Sequence, residues 1–112
     1  MSQTPDLPPT VPLASDESKG EQAYQEAMAL LQKFVSQPDR DRLQLLAYKF
    51  LQAFDAGLQD GRPFVGLAYV FYAVDELELT YKYLNLADLI QPGLPETMRF
   101  RRLLERSREA AN

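Results

Sequence analysis

A chain of 112 residues with 46% hydrophobic and 25% charged side chains has the composition of one globular domain with a modest core. Its net charge of -4 and isoelectric point near 4.8 oppose sequence-independent attraction to phosphate backbones, so nucleic acid is disfavoured as a partner. The absence of Cys and His removes disulfides, thiol nucleophiles, thiolate metal sites and the commonest general base. Neither catalysis nor a metal or cofactor is therefore expected.

Residues 1–20 carry Pro5, Pro8, Pro9 and Pro12 among small and acidic side chains. Such a segment buries too little apolar surface to offset the entropy of ordering, and it reads as a disordered tail. The alternative is a docking peptide built on Leu7, Val11 and Leu13. With neither a basic start nor a continuous apolar run, the tail is no secretory signal, and a cytoplasmic location is expected. The longest nearly apolar stretch, Phe64 to Val74, is about half the length a spanning helix needs.

A change of pattern at Ser18-x-x-Glu21 has the form of a capping box and predicts a helix over about 21–36. Ala23, Ala27, Leu30, Leu31 and Phe34 supply its apolar stripe at helical spacing. Pro38 stops it and suits the first turn of a second helix over about 39–56, where Asp39 and Asp41 complement the positive end of the dipole. Leu43, Leu46, Ala47, Phe50 and Phe54 make the stripe of that helix, and Gly57 closes it in the left-handed conformation. Pro63 opens a third helix over about 63–74. Asp75-x-x-Glu78 marks a fourth over about 76–91, ended by Gln91-Pro92-Gly93. A fifth spans about 95–110, with Phe100, Leu103 and Leu104 on its buried side. The fold class is all-α: a tail, then a domain over 21–112 of five antiparallel helices.

The third and fourth helices resemble a tetratricopeptide repeat. Phe64, Leu67, Ala68 and Phe71, then Leu77, Thr80, Leu84 and Ala87, then Pro92 fall at the spacing of that helix–turn–helix unit. Leu67, Ala87 and Pro92 match the pattern directly; the others keep its size classes, small where helices approach and large where they fill space. The match covers about residues 61–94. One period upstream, Leu30, Phe34, Leu43, Phe50 and Ala53 fall at corresponding positions, but Lys33, Gln37 and Leu58 depart from the pattern. Downstream, Met98 fits while Arg101, Arg102 and Glu105 do not, so the fifth helix is expected to be a solvating cap.

The resemblance implies a concave groove lined by the inner helix of each repeat, with Arg62, Val65, Tyr69 and Tyr72 as groove-facing residues on the third helix; helical spacing adds Ala73 to the same stripe as a candidate partner contact. A helix apolar nearly all round has to be covered, by its own chain or by a partner. Two readings of Tyr69 and Tyr72 stand side by side: partner contact, for which tyrosine is suited, or packing against the domain's other helices. Some repeat proteins of this kind grip a partner's terminal carboxylate with Lys and Asn at inner positions. Val65 and Tyr69 stand at the matching sites here, which opposes that mode.

Arg99, Arg102 and Arg106 form the one basic cluster. They read either as contacts for an acidic partner or as a solvated face balanced by Glu105 and Glu109. The expected function is a non-enzymatic protein-binding module, adaptor or chaperone that holds a helical or extended segment. The chain is in this respect similar to small tetratricopeptide-type chaperones of bacterial secretion systems. The alternatives are a homodimeric or larger scaffold, and a regulator using its arginine-rich last helix.

Overall fold

The computed structural model describes residues 7–111, with side chains described from Ser18 to Glu109. Five helices follow one another: α1 Leu7–Ser36, α2 Arg40–Asp55, α3 Arg62–Ala73, α4 Leu77–Ile90 and α5 Pro95–Ala111. The described residues contain no strand. The class is all-α, and none of these helices is long and apolar enough to cross a membrane.

α1 departs most from its expected bounds. The helix runs back to Leu7, through a part of the segment read as a tail; residues before 7 and the side chains of Leu7, Val11 and Leu13 lie outside what is described. Ser18 and Glu21 do not start a helix because the chain is already helical there. The Glu21 carboxylate instead accepts hydrogen bonds from Arg62 at 2.9 Å and Gln25 at 3.2 Å. The buried stripe of α1 is Gly20, Tyr24, Ala27, Leu31 and Phe34. It is rotated from the expected one, so Leu30 is left exposed.

The termini of the next helices are fixed locally. Asp39 caps α2, its side chain accepting from the Asp41 N–H at 2.9 Å, which leaves Pro38 just outside the helix. At the other end the Gly57 N–H donates to the Phe54 carbonyl and the Leu58 N–H to the Ala53 carbonyl. This two-bond closure requires a positive φ at residue 57, and glycine supplies it at 129°. α3 ends the same way: Asp75 donates to Tyr72 and Glu76 to Phe71, but the positive-φ residue is Asp75, at 65°. Asp75 and Glu78 therefore do not make a capping box. The first turn of α4 is held by the Thr80 hydroxyl, which donates to the Glu76 carbonyl at 2.9 Å.

α3 is the centre of the packing. It touches all four other helices, α1 packs also on α2, and α5 rests only on α3 and α4. Pro63 through Ala68 and Val70 are all buried, as are Phe50, Leu84, Ala87 and Thr80 from the neighbours. The close approach of α2 is possible because Gly66 has no side chain: a Cβ there would fall 2.6 Å from Cδ1 of Phe50. α5 is covered on one side alone. Thr97, Phe100 and Leu104 are buried, while Met98 and Leu103 are 48% and 37% exposed. Leu103, assigned by periodicity to the buried side, is left exposed because among the described residues α5 is packed only by α3 and α4.

Candidate functional site

Because α1, α3 and α5 touch in sequence while α1 and α5 do not meet among the described residues, these three helices form one face with a trough along α3. The trough has a volume of about 450 Å³, within the range of small binding clefts. Its α1 wall presents Tyr24, Met28, Leu31, Gln32 and Val35. Val65, Gly66 and Tyr69 of α3 make the floor, and Glu96 and Arg99 stand on the α5 wall. Val35 is 51% exposed at the mouth and Val65 is 4% exposed at the base.

Two aromatic contacts fasten α5 beside this trough. The Tyr69 ring stacks on Phe100, centroids 4.0 Å apart and planes at 17°. Tyr72 meets the same phenylalanine edge-on at 5.6 Å, with its hydroxyl 3.2 Å from Oγ of Ser107. Both tyrosines are thus half-buried. Tyr69 serves the floor and the helix packing at once, and Tyr72 lies beyond the trough lining. Burial pushes the Tyr69 hydroxyl above its ordinary pKa, against the nearby Arg99 charge, and burial likewise raises Tyr24. Both remain neutral hydrogen-bonding groups at neutral pH.

Arg62 does not line the trough. Its guanidinium bonds to Asp60 at 3.0 Å and to Glu21 at 2.9 Å and lies 5.1 Å from the Tyr24 ring centre. This joins α1 to the start of α3. The hydrogen bonds from Arg62 and then Gln25 hold the Glu21 carboxyl below its ordinary pKa, and those to Asp60 and Glu21 raise that of Arg62. A second depression of about 700 Å³ surrounds this cluster, between Ser18, Glu21, Gly57–Asp60 and Arg62. Its charged groups are already satisfied by one another, which leaves it little to offer a ligand. Ala73, half-buried at the end of α3, lies outside both.

Arg99, Arg102 and Arg106 are all exposed. Neither they nor Arg108 belong to the ion pairs of the described residues, whereas Arg101 pairs with Asp88 at 2.8 Å. Among the described residues no group of three or more acidic side chains is arranged to hold a metal ion. The trough residues that sequence reasoning missed are Tyr24, Met28, Gln32, Val35, Gly66 and Glu96. They sit on helices distant in the chain, and the spacing of Met28, Gln32 and Val35 along α1, beside its buried stripe, is the one local signal for them.

Comparison with known proteins finds no matching family model, no matching curated protein and no matching solved structure. The chain's own geometry carries the functional reading.

Proposed function

We propose that this protein is a non-enzymatic binding module that holds a segment of another protein in the trough between α1, α3 and α5. The observation that carries the reading is the trough itself, where half-buried Met28 and exposed Val35 of α1 stand above buried Tyr24 and Leu31 and face the aromatic floor at Tyr69. Apolar surface of this kind is stabilised by burial, at about 25 cal/mol per Å² covered. The order of helix contacts, odd helices touching in sequence with each even helix behind them, is what stacked helix pairs produce and supports a tetratricopeptide-like array. Among the positions of the resemblance, Phe64, Leu67, Ala68, Thr80, Leu84 and Ala87 are buried, which supports it, while Phe71 is half-buried and Leu77 and Pro92 are exposed. An adaptor or chaperone role in the cytoplasm agrees with such a module.

Val35→Glu tests the reading, because Val35 is exposed enough to change without unfolding the domain. Affinity capture from the native cell extract is expected to yield a stoichiometric partner with the unaltered protein and to lose it with the folded variant. A partner retained by the variant would sink the trough as the site. Tyr69 and Tyr72 are poorer probes, since replacing them also loosens α5.

Self-association is a second reading, favoured by a different surface. Leu45, Tyr48 and Leu51 project from the outer side of α2 at i, i+3 and i+6 and are 54%, 61% and 42% exposed. Light scattering on the purified chain distinguishes it: a dimer dissolved by Tyr48→Glu would make α2 the interface and the protein a scaffold.

A further inference from the structure

We infer that the trough, read as above as a protein-binding site, selects an amphipathic helix whose flank toward α5 is acidic. The inference rests on that reading and adds the chemistry of the partner. Shape argues for a helix: α1 and α5 both pack on α3 and do not meet each other. Two interaxial spacings of ~8–10 Å then separate the walls, and an occupying helix of ~10 Å diameter fits over α3. The described residues offer no sheet edge for an extended strand to join.

Charge argues for the acidic flank. The α1 wall is uncharged, from Tyr24 to Val35. The α5 wall belongs to the segment where five arginines face three glutamates, in a chain that is otherwise acidic. Arg99 lines the trough, and Arg106 stands two turns on, on the same side of α5, ~10 Å along the axis. Both are exposed, and neither has a carboxylate partner among the described residues. Glu96, one turn before Arg99, is the single anion of the lining. It sets a direction: the partner needs carboxylates at i and i+7 opposite Arg99 and Arg106, and a neutral or cationic side chain opposite Glu96. Its other flank, toward Met28 and Leu31, is apolar.

The test uses the full chain and two synthetic helical peptides with the same leucine face, one with glutamates at i and i+7 on one flank and the other with lysines there. Binding is followed by fluorescence anisotropy of the labelled peptide at low and high salt. The glutamate peptide is expected to bind ~10-fold more tightly, with the advantage shrinking as salt rises. Arg99→Glu combined with Arg106→Glu is expected to invert the preference, and Arg99→Gln with Arg106→Gln to remove it. Equal binding of the two peptides, both abolished by Val35→Glu, would overturn the acidic-flank rule and leave the trough as the site. Binding indifferent to Val35→Glu, or no binding of either peptide, would overturn both.

Discussion

α3 and α5 both bury aromatic and branched side chains, yet they are held in different ways. α3 is contacted by all four other helices, and its position follows from packing everywhere but along the trough. α5 is attached along one side, through Phe100 between two tyrosines, Leu104, and the Arg101–Asp88 pair. An interior helix is specified by many weak constraints and an end helix by a few strong ones. The end helix is then the one whose remaining side is available for function.

Truncating the main anchor should separate the two most sharply. Phe100→Ala removes a fully buried ring and is expected to cost about 3–5 kcal/mol at α5. Amide exchange should rise through α5 while α3 stays protected, and a uniform rise across all helices would show that the domain unfolds as one unit. Gly66→Ala addresses the interior: the Phe50 ring has to move to admit a methyl group, at about 1–3 kcal/mol read from denaturant midpoints. An unchanged midpoint would mean that α2 and α3 do not approach as closely as described. The smallest effect is expected from Thr97→Val. The Thr97 hydroxyl is buried without a hydrogen-bond partner, so its replacement by a methyl group should stabilise the fold by about 1 kcal/mol. A loss of stability would reveal an unseen partner for that oxygen.

The same contrast explains what could be read from the sequence. The all-α class was legible, because the apolar stripes recur at helical spacing and Asp39, Gly57, Pro63 and Gly93 stand at or near helix ends, each with a local physical reason, although the start of α4 is not made by the residues that suggested it. Leu67, Ala68, Thr80, Leu84 and Ala87, which their spacing places on the inward sides of α3 and α4, are buried. The start of α1 was not legible. Ser18 and Glu21 have the residue types of a capping box, but Glu21 is used by Arg62, 41 residues away. Met98 and Leu103 misled for a related reason: periodicity marks an apolar side without saying whether anything covers it. For the trough, Val65 and Tyr69 were named in advance. The α1 wall was not, because it becomes a wall only when α5 is set across α3 from it.

The stack of Tyr69 on Phe100 also makes the protein its own optical reporter. The chain has no tryptophan, so near-ultraviolet circular dichroism arises from tyrosine and phenylalanine alone, and a tyrosine fixed 4.0 Å over another ring stands in a strongly asymmetric environment. Tyr69 belongs to the trough floor and to the α5 anchor at once. Occupancy of the trough and release of the last helix should therefore both write themselves into one spectral band, with no label attached.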